Sequence, residues 1–315
     1  MLAVVTAEWA PGGTSRLEAL GYQVHRLGWG VTRQVLGRQE LLEVARDAAL
    51  VITEIEVLDA EVLAELPDLR VVGTARGGPV NVDLSACGAR GIPVLYAPAR
   101  NADSVADFTV GLLLSLIRGI PAADTHLRTA GWHVGAELPY LHFRGPELGR
   151  LTVGVVGAGA CGGRVARRLR DGFGSTVLVN DPALPGSTPL EELAERCDVL
   201  TLHCPRNPTT RGLVDAALLA RMRPSAYLLN TAGGGIVDED ALCDALDAGT
   251  LAGAALDCFA TEPLPRDSRL LRTPRLLLTP HLAGAADDVV RHHTELLVSD
   301  VERWHRGEPL VHRAV

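Results

Sequence analysis

At 315 residues, 47% hydrophobic and 22% charged, the chain has the length and apolar content for two globular domains with buried cores, which excludes a disordered or fibrous polypeptide. The formal net charge of −8, with the 30 basic residues dispersed along the chain, leaves no electrostatic footprint for a nucleic-acid partner. No apolar stretch approaches the length of a bilayer span, and the start, "MLAVVTAEWAPGG", reaches Glu8 without the flanks of a signal peptide, so a cytoplasmic protein without membrane partners is expected.

In chain order, "LAVVT" from Leu2, "ALVIT" from Ala49, "LRVVG" from Leu69 and "IPVLY" from Ile92 are short aliphatic runs of strand type, with segments of helical period between them. Strands separated by helices must run parallel, which makes this part of the chain one doubly wound α/β unit. "NADSVADFTVGLLLSLIRG" then reads as a long helix opening at Asn101 or Asp103 and bridging into a second domain. There the alternation resumes with "LTVGVVG", "TVLVND", "DVLTLHC", "AYLLNTA", "LAGAALD" and "LLLTP". In "STPLEEL", Thr188, Pro189 and Glu191 have the spacing of a capping box. The last segment, "ADDVVRHHTELLVSDVERWHRGEPL", is a helix without a strand partner and is expected to return to the first domain. The predicted domains are 1–98 with 286–315, and 99–285.

The six cysteines, Cys87, Cys161, Cys197, Cys204, Cys243 and Cys258, show no C-x-x-C spacing and mostly sit among apolar residues, as small buried thiols of a reducing compartment do. Neither disulfides nor a metal site is expected. His292 and His293, adjacent on a helix, point to different faces and make a poor metal pair.

"TVGVVGAGACGGRVARRL" places Gly157, Gly159 and Gly162 in G-x-G-x-x-G order between a strand and a helix. The first glycine allows the tight turn, the second lets the backbone approach a pyrophosphate, and the third lets helix and strand pack closely, with the helix N-terminus facing the anion. Asp181 ends the next strand at about the ~20-residue distance of the acid that accepts a ribose 2′-hydroxyl. A carboxylate there repels a 2′-phosphate, so the expected cofactor is NAD rather than NADP.

Further segments carry a resemblance to the D-isomer-specific 2-hydroxyacid dehydrogenases that covers nearly the whole chain. "NVDLSACGARGIPVLYAP" and "NADSVADFTVGLLLSLIR" resemble that family's bridge between domains, "LHCPRNPTTRGLV" its loop under the nicotinamide, and "GAALDCFATEPL" and "TPHLAGAA" its acid and histidine segments. The resemblance implies a flavodoxin-like substrate domain and a Rossmann NAD-binding domain with a cleft between them. It also implies a homodimer formed through the NAD-binding domain and hydride transfer between NAD(H) and a 2-hydroxy or 2-oxo acid. Carried over by position, His281 is the proton donor and acceptor and Glu262 its carboxylate partner. Reducing a ketone needs a proton at oxygen, which an imidazole of near-neutral pKa beside a carboxylate can supply. The implied cofactor contacts are Gly157, Gly159, Ala160, Cys161, Gly162 and Asp181 around the glycine-rich turn, and His203, Cys204, Pro205 and Thr210 on the following loop. Thr231, Ala232, Gly233, Asp257, His281 and Gly284 complete them, with Asn230 a weaker candidate beside the nicotinamide.

The family pattern N-T-A-R-G-G is here "NTAGGG", so Gly233 stands where the resemblance places an arginine that holds the substrate carboxylate. Glycine cannot perform that bidentate task. Three readings follow. Another arginine takes over: Arg76, in a loop whose Arg76, Gly77 and Gly78 are implied to face the substrate, or, less favoured, Arg206 in "CPRNPTT". Alternatively the substrate is bulkier or lacks a 2-carboxylate. Otherwise catalysis has faded, and the chain binds NAD as a sensor or scaffold.

Overall fold

The four aliphatic runs of the first segment become strands, and a fifth strand that they do not announce lies among them. In the computed structural model, which describes residues 1–315, β1 is Leu2–Val5, β2 Gln23–Arg26, β3 Ala48–Thr53, β4 Val71–Thr74 and β5 Val94–Tyr96. They form one parallel sheet in the order β2-β1-β3-β4-β5. β2, "QVHR", is an edge strand with three of its four residues exposed, so it lacks the apolar run that betrays a buried strand. All six residues of β3 are buried, as expected where helices cover both faces. The helices here are α1 (Pro11–Ala19), α2 (Trp29–Thr32), α3 (Arg38–Ala45), α4 (Ala60–Ala64) and α5 (Leu84–Ala89).

The bridging helix α6 spans Ala102–Ile117 and is followed by α7 (Ile120–Ala130) and α8 (Pro139–His142). The second sheet contains the six expected strands: β6 Thr152–Val156, β7 Thr176–Asn180, β8 Val199–Leu202, β9 Tyr227–Asn230, β10 Gly253–Leu256 and β11 Leu276–Leu278. It is parallel throughout, in the order β11-β10-β9-β8-β6-β7. The order reverses between β6 and β8, and the carboxyl ends of those strands flank the switch point where ligands of such sheets bind. Helices α9 (Ala160–Arg167), α10 (Leu190–Arg196), α11 (Ala216–Leu219) and α12 (Glu239–Ala248) connect the strands.

The capping box predicted at Thr188 is not made. α10 begins at Leu190, with Pro189 as its N-cap and no side-chain cap bond. Thr188 is drawn to β7 instead: its N–H donates to Val179 O at 2.8 Å, and its carbonyl accepts from Asn180 Nδ2 at 2.7 Å. A strand-edge contact has won over the local cap.

By packing, the chain divides into one unit of Met1–Asn101 with Ala286–Val315 and another of Ala102–Ala285. The last helix, α13 (Asp287–His305), belongs to the first unit, where Leu297, Val298 and Val301 join a core with Val5, Leu17 and Ile52. His293 is buried on this helix. Its Nδ1 accepts from Arg100 at 2.9 Å and its Nε2 donates to Glu8 O at 2.6 Å, while His292 bonds Arg100 O at 3.1 Å. Both rings therefore serve structural hydrogen bonds. All six cysteines are free thiols, five of them buried and Cys161 half-buried. No single helix is long and apolar enough to cross a membrane.

Candidate active site

β6 runs directly into the glycine-rich turn. Gly157 has φ +85°, and a Cβ there would lie 2.7 Å from Cys204 N, so only glycine passes. At Gly162 a Cβ would fall onto the Gly157 carbonyl, which is the close helix–strand approach expected of the third glycine. Gly159 differs: it is exposed, a Cβ would meet nothing within 4 Å, and it caps α9 without a side-chain bond. The open surface above Gly159, and the unsatisfied N–H groups of the first turn of α9, fit a pyrophosphate.

Asp181 follows β7. Its Oδ2 accepts from Ala158 N at 2.8 Å and its Oδ1 from Ala183 N at 3.0 Å. The Ala158 bond, then the Ala183 bond, hold its carboxyl below the usual range, so it is an anion at neutral pH with further lone pairs for a diol. The donor set at this end of the sheet therefore fits NAD. Beneath the turn, burial pushes His203 down to about 4, and the ring is neutral. Its Nε2 pairs with Thr201 Oγ1 at 3.0 Å, while its buried Nδ1 has no partner in the chain. The loop beyond Cys204 and Pro205 is braced by Thr210, whose Oγ1 donates to Pro205 O at 2.6 Å and accepts from Asn207 N at 2.9 Å.

His281 and Glu262 come together as the family resemblance implied. His281 Nδ1 lies 2.8 Å from Glu262 Oε2, and the imidazole side chain is 61% exposed, which leaves Nε2 open to a substrate. Partial burial alone would raise the Glu262 carboxyl. Hydrogen bonds from Phe259 N–H (2.9 Å) and His281, with the charges of His281 and Arg206, outweigh that and hold it below its ordinary value. The loop that bears His281 is held by Asp257, a fully buried carboxylate. Its Oδ1 accepts from Thr279 Oγ1 (2.6 Å) and Leu282 N (2.8 Å), and its Oδ2 from Ala283 N (2.8 Å). His281 N also donates to Asp257 O at 2.9 Å. This grip sustains a left-handed φ of +54° at His281, a conformation that a residue other than glycine keeps only when its surroundings impose it. Gly284 lies in the turn just beyond. Sequence reasoning placed Asp257 against the nicotinamide; its loop-holding bonds leave no local signature, since their partners are more than twenty residues away.

The segment after β9 is wound around Asn230, whose Oδ1 accepts from Ala232 N (3.0 Å) and Gly233 N (3.4 Å) and whose Nδ2 donates to Gly233 O (2.9 Å). Thr231 Oγ1 pairs with Thr109 Oγ1 of α6 at 2.9 Å. The three glycines are unequal. At Gly234 a Cβ would overlap the Phe259 carbonyl, and Gly235 has φ +78°. At Gly233 neither constraint applies: a Cβ would sit in ordinary contact, 3.5 Å from Arg206 Cβ and 3.8 Å from Ile236 Cδ1. A side chain at 233 is thus compatible with the backbone.

In the first unit, Arg76, Gly77 and Gly78 follow β4. Arg76 Nη1 donates to Glu54 O at 3.2 Å, which ties the side chain to the end of β3. The N–H groups of Arg76, Gly77 and Gly78 have no acceptor within the chain.

Residues 110–283 match the family model described as "D-isomer specific 2-hydroxyacid dehydrogenase, NAD binding domain". The chain is 35% identical to YoaD of Bacillus subtilis over 98% of its own length and 92% of that protein's. It is 39% identical to the D-3-phosphoglycerate dehydrogenase of Mycobacterium tuberculosis over 86% of its length, but spans only 51% of that longer protein. Among solved structures it resembles the TT0316 protein of Thermus thermophilus, with a TM-score of 0.85, 33% identity and full coverage of both chains. With the dyad, the glycine-rich turn and the doubly wound sheets in place, the chain belongs to the D-isomer-specific 2-hydroxyacid dehydrogenases, NAD-dependent oxidoreductases that act on the hydroxyl group of 2-hydroxy acids.

Proposed function

We propose that this chain interconverts a 2-oxo acid and its 2-hydroxy acid, with His281 handling the proton. The observation that carries the reading is the His281–Glu262 pair at 2.8 Å, its Nε2 side open. Bound at the glycine-rich turn and Asp181, NAD(H) supplies or accepts the hydride. In reduction, His281 Nε2–H donates its proton to the carbonyl oxygen, and Glu262 stabilises the imidazolium beforehand and fixes the ring through Nδ1. In oxidation the same nitrogen takes the proton from the hydroxyl. On the first unit, taken by itself, the N–H groups of Arg76, Gly77 and Gly78 are left free for an anion.

The test is NADH consumption with glyoxylate, hydroxypyruvate, its 3-phosphate and phenylpyruvate, alongside a fluorescence titration with NADH. Turnover of at least one acid is expected. Tight NADH binding with no turnover of any would replace this reading by that of a silent sensor.

Two finer properties belong to the same proposal. The free thiols suit a reducing cytoplasm. The chain is a homodimer through the second unit, a reading supported by large apolar side chains exposed within one short segment: Ile120, Leu127, Trp132, Leu138, Tyr140 and Leu141, with Trp132 68% and Tyr140 69% exposed. Light scattering should show a dimer that the double change Trp132→Asp and Tyr140→Asp converts to monomer; a wild-type monomer at micromolar concentration would refute it.

A further inference from the structure

Gly233 stands where the resemblance to the family places a substrate-binding arginine, and the surroundings of that position hold an arginine on a different loop. A Cβ built at Gly233 would lie 3.5 Å from Arg206 Cβ, so side chains rooted at the two positions would start in van der Waals contact. Arg206 is exposed, and its guanidinium makes no ion pair or hydrogen bond within the chain. Its loop is not slack. Asn207 Oδ1 accepts from Thr209 N at 2.9 Å and Thr210 N at 3.1 Å, Thr210 Oγ1 bonds Pro205 O, and Gly212 N donates to Gly235 O at 2.8 Å. These bonds fasten the loop to the glycine turn and fix where Arg206 begins.

Arg206 is also electrically close to the dyad, since its positive charge is among the influences that lower Glu262. No carboxylate of the chain forms an ion pair with it: Glu262 is hydrogen-bonded to His281 and Phe259 N–H, and Glu239 Oε1 accepts from Ala260 N at 2.6 Å. A cation held beside a proton-transfer pair, without a partner of its own, is the electrostatic requirement for holding a substrate carboxylate. Arg76 meets it less well, because its guanidinium is tied to the Glu54 carbonyl.

We propose that Arg206 is the substrate-anchoring residue of this enzyme, binding the carboxylate of the 2-oxo acid from the cofactor-side loop in place of an arginine at position 233. The inference rests on the reading of the chain as a 2-oxo acid reductase. Gly233 is then a complement to Arg206: an arginine at 233 would compete for the same space and the same anion.

The experiment compares wild type, Arg206→Ala, Arg206→Lys, and Arg206→Ala combined with Gly233→Arg. Steady-state kinetics use the best 2-oxo acid of the panel. Oxamate, an unreactive 2-oxo acid mimic, is titrated into the NADH complex, and NADH binding is measured separately by fluorescence. Arg206→Ala should raise KM and weaken oxamate about 10- to 100-fold, the range for losing a charge-assisted contact, while NADH affinity stays within about twofold. Lysine should restore part of the loss, and arginine at 233 should rescue the alanine variant by returning a guanidinium to the same space. Unchanged KM and oxamate affinity in Arg206→Ala would overturn the proposal, as would a loss of NADH affinity equal to the loss of kcat/KM. A wild type that binds NADH but turns over no 2-oxo acid would overturn the underlying function, and oxamate binding lost in Arg206→Ala would still identify the anion site.

Discussion

Replacing His281 by glutamine is expected to lower kcat for 2-oxo acid reduction by about 10²- to 10⁴-fold, the usual contribution of a positioned general acid, with NADH affinity little changed. The imidazole touches its own unit through Nδ1 and the backbone, and the exposed Nε2 has no structural task. Its removal therefore deletes chemistry more than architecture. Glu262→Gln should be milder, about tenfold in kcat, but diagnostic in pH, because the variant has no carboxyl whose protonation weakens the pair as pH falls. In the native protein the Glu262 carboxyl lies below its ordinary value. The stabilisation of the folded state by this pair is therefore fully present above the ordinary carboxyl value and is lost only as pH falls through the lowered one. A kcat/KM profile unaltered by Glu262→Gln would remove Glu262 from the proton step, and undiminished turnover in His281→Gln would remove His281.

The second large effect is expected from a single methyl group. Gly234→Ala places a Cβ on the Phe259 carbonyl, at the start of the loop that brings Glu262 to His281. Either the glycine turn or that loop must move. The cost should be about 1–3 kcal/mol of stability, typical of overpacking. The displacement of Glu262 should reduce turnover by about 10²-fold, as an error of order 1 Å does at a reacting centre. Gly233→Ala is the control for stability: with only ordinary contacts around its Cβ, its thermal midpoint should match wild type. If Gly234→Ala melts and reacts like wild type, close backbone approach is not what requires glycine there.

These two predictions show where sequence and structure part. Gly157 and Gly162 could be read from spacing alone, because the strand, turn and helix start that make up the motif are consecutive in the chain, even though Gly157 packs against the distant backbone of His203 and Cys204. In "NTAGGG" the letters are identical but the environments are not. Gly234 is set by Phe259, Gly235 by its own left-handed backbone, and Gly233 by nothing in the backbone at all. The edge strand β2 was invisible for a related reason, since exposed residues carry no hydrophobic period. Thr188 looked like a helix cap because capping is a local preference, and a hydrogen bond to β7 displaced it.

By itself the sequence determined the alternation of ten of the eleven strands with helices and a glycine-rich turn followed by an acid after the next strand, whereas the pairing of His281 with Glu262 was implied only by the resemblance to the family. The first two follow from periodicity or from a motif whose residues are near neighbours in the chain. Tertiary structure alone decided that Asp257 spends its carboxylate on the loop carrying His281, and that Arg206 lies beside the bare position at Gly233. Both depend on which carboxyl-end loops of a parallel sheet become neighbours. That is set by strand order, and strand order reflects how the whole sheet buries its faces rather than any preference of the residues concerned.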